Sequence, residues 1–318
     1  MTEAAASGDR PRIAAASTST FRWAAYAALV ALFLVTVSGA TVRLTGSGLG
    51  CENWPRCGET FLPEQEYHAL VEFGNRVVGV VVGVTTLVAA VAAWRARVPR
   101  RLFRLTAALP LLVLAQGVLG GITVLFELHP LIVMGHFLLS LVSIALAILV
   151  VLGAERLARG RPASPPPLPR WLRQVALGLV PLTALVVVTG AFVTAAGPHS
   201  GGTEIERLGD LERAIYVHVR ATALFGVAFL VLVAALFRRK GVAPGPATAA
   251  GLVLSLVVLQ MVVGEVQWRS QLPWWLVLVH VALATAVWAG VVVLAVLIRP
   301  DRATEPAHAV TPARAGPA

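Results

Sequence analysis

Residues 34–50 read LVTVSGATVRLTGSGLG, and residues 185–201 read LVVVTGAFVTAAGPHSG. The stretches align without a gap, pairing Gly39 with Gly190, Ala40 with Ala191, Gly46 with Gly197 and Gly50 with Gly201. A second match lies downstream, where Gln116, Gly120 and His136 recur at the spacings of Gln260, Gly264 and His280. Two matches in register mark an internal repeat. The repeated stretches sit in long apolar runs, each able to cross a hydrocarbon core of about 30 Å as a helix. Eight such runs are read, at 22–41, 70–94, 103–122, 131–153, 172–194, 212–237, 247–266 and 274–298. Four spans per copy give the copies the same orientation, related by an axis along the membrane normal. The expected fold is an all-α integral membrane protein whose eight transmembrane helices form two pseudo-symmetric parallel four-helix bundles.

Composition agrees. Only 13% of the 318 residues are charged and 57% are hydrophobic, with a mean hydropathy of +0.79, against about 25% charged for a soluble domain. The net charge of +10 invites a nucleic-acid partner, but its distribution argues for topology instead. With both termini cytoplasmic, 19 of the 26 basic residues fall on the inner side, among them Arg95, Arg97, Arg100, Arg101 and Arg104. That is the positive-inside pattern of a multi-pass membrane protein, with no nucleic acid involved. Acidic Glu52, Glu59, Glu64, Glu66, Glu204 and Glu206 fall in outer loops. The first run is too long for a signal peptide and is expected to stay as a span. The expected organisation is a disordered tail over 1–20, one half over 21–155, a Pro-rich linker over 156–171, a second half over 172–298 and a tail over 299–318.

Three of the seven histidines, His136, His218 and His280, lie inside spans, where an ionisable group is costly and usually functional. His218 and His280 each sit about six residues into an inward-running span, roughly 9 Å along the helix. Two imidazoles at equal depth on two helices of one bundle suit axial ligation of a flat iron porphyrin. Arg220, two residues on, is a candidate partner for a propionate. In the first half, His136 takes the place of His280, and Asn75 falls close to the place of His218. An amide is a poor iron ligand, so this half has one strong ligand and one weakly filled face. Glu72, one turn from Asn75, reads either as an exposed helix-entry residue or as a carboxylate beside the macrocycle. Gln116 and Gln260 read as hydrogen bonds between helices, and His199 as a loop hydrogen-bond partner. Cys51 and Cys57 share the first outer loop, where an oxidising compartment permits a disulfide; free or redox-active thiols are the alternative.

The stretches RLTGSGLGCENWPRC (43–57), EFGNR (72–76), QGVLGGITVLFELHPLIVMGHF (116–137) and TGAFVTAAGPHSG (189–201), with His218 and His280, resemble the haem A synthase family of respiratory bacteria and mitochondria. The resemblance implies an oxidoreductase that converts the C8 methyl of haem O to a formyl group, giving haem A for cytochrome c oxidase. It implies haem b between His218 and His280, and haem O in the first half with His136 as ligand. Glu72 and Arg76 match the family's Glu-x-x-His-Arg motif, and Cys51 with Cys57 its outer cysteine pair. The motif's histidine is Asn75 here, which leaves the iron either five-coordinate through His136 or completed by another group such as water. A cysteine pair that some members carry in the third outer loop is also absent. A haem O synthase is the implied supplier and cytochrome c oxidase assembly the implied destination. The electron partner is unnamed, and a homo-oligomer is compatible. The alternatives are a b-type cytochrome relaying electrons to or from quinol, and a transporter with parallel repeats.

Overall fold

Among the described residues, the eight apolar runs become eight helices: α1 (Arg10–Leu44), α2 (Tyr67–Arg95), α3 (Arg100–Leu125), α4 (Pro130–Arg159), α5 (Arg170–Ala196), α6 (Leu211–Arg238), α7 (Pro244–Arg269) and α8 (Trp274–Ile298). The computed structural model describes residues 10–51, 54–58, 61–159, 168–201, 205, 207–239, 242 and 244–299. All eight helices are long and apolar enough to cross a membrane. Most reach past the expected run by a few residues at each end. The largest difference is at the start, where the expected tail over 1–20 is helical from Arg10. Its sequence explains this: Pro11 suits a first helical turn, where no N–H is required, and an alanine run follows. Residues 1–9 and 300–318, linker residues 160–167, and Glu52, Glu59, Glu204, Glu206 and His308 lie outside the described residues.

Among the described residues, α1, α2, α3 and α4 pack as a ring in which each helix touches the next and α4 closes on α1. Helices α5 to α8 pack in the same cyclic order. Among the described residues, the backbones of the diagonal pairs α2/α4 and α6/α8 stay more than 8 Å apart. The rings meet where α4 lies beside α8, with α1 against α8 and α4 against α5. Two apolar cores follow. Phe21, Ile144, Ala147 and Ile148 anchor one, joined across the seam by Trp288 and Val292; Leu172, Leu179, Phe229 and Leu232 anchor the other. The buried Trp288 indole donates to the Leu141 carbonyl at 2.9 Å, tying α8 to α4. At one end, Glu155 of α4 accepts from Tyr26 of α1 at 3.0 Å and from Arg159 at 2.8 Å. Large apolar side chains along α2, α3, α6 and α7 face outward, as lipid-facing surfaces require.

The repeat extends to backbone turns that no motif announces. Glu127-Leu128 after α3 and Gln271-Leu272 after α7 both adopt left-handed φ, at 48°, 58° and 64°, 56°. In each, the leucine N–H reaches back to the carbonyl five residues earlier, Leu128 to Thr123 and Leu272 to Gln267, both at 2.8 Å. These are Schellman caps formed without glycine. At the end of α1 the same cap uses Gly46 at φ 67°, with Ser47 N–H bonded to the Val42 carbonyl at 2.8 Å.

Candidate functional site

Four polar side chains each lie against a glycine of a neighbouring helix. A side chain at Gly190 of α5 would meet His218 Cε1 at 3.0 Å, and one at Gly264 of α7 would meet His280 Cε1 at 3.2 Å. In the first half, a side chain at Gly120 of α3 would lie 3.5 Å from His136 Cε1, and one at Gly39 of α1 3.8 Å from Asn75 Oδ1. Repeated glycines are thus the beds on which these groups rest. The polar partners repeat too. Thr189 Oγ1 lies 3.0 Å from His218 Nδ1, while Ser38, at the matching position of the repeat, donates to Asn75 Oδ1 at 2.7 Å. Asn75 therefore takes in the first half the place that His218 takes in the second.

The expectation for the glutamines matches the structure. Gln116 Nε2 donates to the His136 carbonyl at 3.2 Å and to Ser140 at 2.6 Å; Gln260 Nε2 donates to the His280 carbonyl at 3.1 Å. The Nδ1 atoms of His136 and His280 are buried without a hydrogen-bond partner among the described residues. In the second half, α6 begins at an Asp210 cap, whose carboxylate accepts the Arg213 N–H at 2.8 Å, and His218 follows two turns on. Each imidazole is bedded on a glycine of the neighbouring helix, and imidazole nitrogen is a donor type that suits haem iron. Arg220 packs on its own helix. Its guanidinium stacks on Tyr216, one turn back on α6, 3.4 Å from the ring centroid, and two residues from His218 is roughly the opposite side of a helix.

Glu72 is buried, with 4% of its surface exposed, so the exposed-entry reading does not hold. One oxygen accepts the Cys51 N–H at 2.9 Å and the other pairs with Arg76 at 2.5 Å. Arg76 in turn donates to the carbonyls of Pro55 and Arg56 at 3.2 and 2.9 Å. The pair therefore clamps the loop that carries the Cys51–Cys57 disulfide. That loop leaves no room at Gly50, where a side chain would collide with the His68 and Ala69 backbone. His199 accepts the loop role expected of it, its Nε2 lying 2.7 Å from the Leu272 carbonyl.

Beneath the loop lies a cavity of about 740 Å³, lined by Glu72, Asn75, Arg76, His136, Trp54 and the apolar faces of α1 to α3. Its size falls within the ordinary range of small-molecule sites, about 300–1,000 Å³. Trp54, unremarked in the sequence beyond its motif, packs on α3, since a side chain at Gly121 would strike its ring at 2.7 Å. The second ring contributes Ala191, Thr194, Ser200, Gly201 and Val281 to the wall, while His218 and His280 stay outside it.

The family model described as cytochrome oxidase assembly protein, COX15-CtaA, matches residues 22–69 and 61–200. The chain belongs to this family. Curated relatives named haem A synthase include those of Symbiobacterium thermophilum, 39% identical over 174 residues, covering 52% of this chain and 56% of the relative. The Lysinibacillus sphaericus protein is 34% identical over 175 residues (54% and 57%), and that of Bacillus pumilus 33% over 169 (51% and 54%). The chain thus spans a little over half the length of the curated relatives it matches. The family match takes in the first ring, the disulfide loop and α5. It ends before α6, so His218 and His280 lie beyond it.

Proposed function

We propose that the chain is a haem A synthase, an oxidoreductase that turns the C8 methyl of haem O into a formyl group. The observation that carries this reading is the inequality of two equivalent places: Asn75 stands where the repeat has His218, beside a roomy cavity and a buried carboxylate. A site for chemistry needs an accessible face, and an electron-transfer site does not. His136 of α4 holds the substrate iron, and Asn75 leaves the opposite face weakly filled. Methyl to formyl removes four electrons and four protons and adds one oxygen, which water supplies. The electrons leave to an acceptor outside this chain. Glu72, at the cavity edge, takes up a released proton or steadies positive charge on the substrate, and Arg76 keeps its carboxylate aimed.

In this reading, helices α1 to α4 form the substrate half and α5 to α8 the haem b half, joined by the segment between Arg159 and Arg170, with both termini cytoplasmic in a bacterial cell membrane. Haem b, when bound between His218 and His280, supplies one-electron redox chemistry. A haem O synthase supplies the substrate, and the product goes to cytochrome c oxidase assembly. The test is conversion in membranes supplied with haem O. Wild-type chain accumulates haem A, and His136→Ala lowers it at least about tenfold, since losing even a ligand's outer partner costs about 10–100-fold in metal affinity or activity. Unchanged haem A with His136→Ala would remove the site from the first half.

A further inference from the structure

Two arginines line the 740 Å³ cavity, Arg43 and Arg76. Arg76 is taken up by Glu72 and by the loop carbonyls. Arg43 is different. Its Nε and Nη2 atoms are buried and have no hydrogen-bond partner among the described residues. Glu72, the carboxylate in the cavity wall, is already shared between Arg76 and the Cys51 N–H. Arg43 also lines a second pocket of about 390 Å³ beside the first, with His68, His199 and Gly201, so it stands at the boundary between cavity and loops.

A buried guanidinium without an anion is costly, because its lost hydration is not returned by any partner. The last turn of α1 offers a favourable dipole for a cation, yet leaves the N–H donors unmet. The charge also breaks the repeat. The position matching Arg43 is Thr194, which turns its hydroxyl back to the Gly190 carbonyl at 3.2 Å. Arg43 lies one turn beyond Gly39, on the α1 face that meets Asn75. The unmet charge is therefore confined to the first-half cavity, on the Asn75 side. A guanidinium's planar fork matches a carboxylate with two parallel hydrogen bonds.

We propose that Arg43 is the carboxylate anchor of the first-half cavity, its guanidinium taking an acidic arm of the flat apolar molecule bound there. That this arm is a haem propionate rests on the haem O reading above. The anchor fixes how the ring lies between His136 and Asn75, and so which edge meets Glu72.

The test uses the full chain purified in detergent, titrated with iron protoporphyrin IX and with its dimethyl ester. Absorbance change that His136→Ala abolishes reports the first cavity. Wild type is expected to prefer the free acid by about ten- to a hundredfold, the effect of one or two charge-assisted hydrogen bonds. Arg43→Gln removes that preference and leaves ester affinity unchanged, while Arg43→Lys, which keeps the charge, retains part of it. Equal binding of acid and ester by wild type overturns the anchor even if Arg43→Gln does not fold. Acid and ester weakening together in Arg43→Gln also overturn it, since that marks a packing role. If wild type binds neither porphyrin in a His136-dependent way, the haem reading of the cavity falls, and the anchor with it.

Discussion

His280→Ala or His218→Ala strips low-spin haem b from the purified protein, lowering bound haem by well over tenfold. The expectation rests on what each substitution leaves in place. Gln260 bonds the main-chain carbonyl of His280, not its ring, so the α7–α8 link survives truncation. Thr189 keeps its bonds to the Leu185 and Val186 carbonyls, both at 2.9 Å, when the His218 ring is gone. The helices therefore still pack, and the loss falls on ligation. Outer partners of metal ligands alone contribute about 10–100-fold in affinity, so a ligand itself contributes more. Thermal stability in detergent falls alongside, because a group that binds the folded state stabilises it by mass action. Undiminished low-spin haem b in either variant, read from the reduced spectrum, rejects the ligand assignment.

The second large effect is at Glu72, where two substitutions separate two roles. Glu72→Leu leaves the Cys51 N–H and one side of Arg76 without an acceptor. Breaking a buried pair costs about 3–5 kcal/mol, and the lower end applies because Arg76 keeps the Pro55 and Arg56 carbonyls. The loop loosens, and trypsin cleaves after the exposed Arg56 faster than in wild type, the fragments separating once the disulfide is reduced. Glu72→Gln retains an acceptor for Cys51 but loses the charge. Loop cleavage then stays close to wild type while haem O conversion falls about a hundredfold, within the range of acid–base groups. Full conversion by Glu72→Gln would leave the carboxylate only its hold on the loop.

The sequence carried the spans and the duplication because both are written locally: apolar length sets a helix, and glycines and histidines repeat at fixed spacing. It also matched Asn75 with His218, and the two share equivalent polar partners on the first helix of each half, Ser38 and Thr189. What it left open depended on chain segments meeting across distance. Whether Glu72 was exposed or buried turned on the Cys51 loop folding over it, a contact between residues 21 apart that no periodicity encodes. Arg220 was picked for its nearness in sequence to His218, and its stacking on Tyr216 is a contact that this nearness does not announce. Arg43 stood only as the first residue of the quoted 43–57 stretch, with no role read for it. Only the assembled walls show that its donors go unmet. The left-handed turns at Leu128 and Leu272 escaped because neither uses the glycine that usually signals them.

The claim that the two rings are unequal, one holding a redox haem and one a haem being changed, is tested most directly by the pigments that travel with the protein. The chain is purified from cells that make haem O, and its haems are extracted with acidified solvent and separated by mass. The account predicts haem b together with haem O, its hydroxylated form or haem A, the second set disappearing in His136→Ala while haem b stays. Haem b alone, in cells with haem O to spare, would contradict it and leave a b-type electron relay.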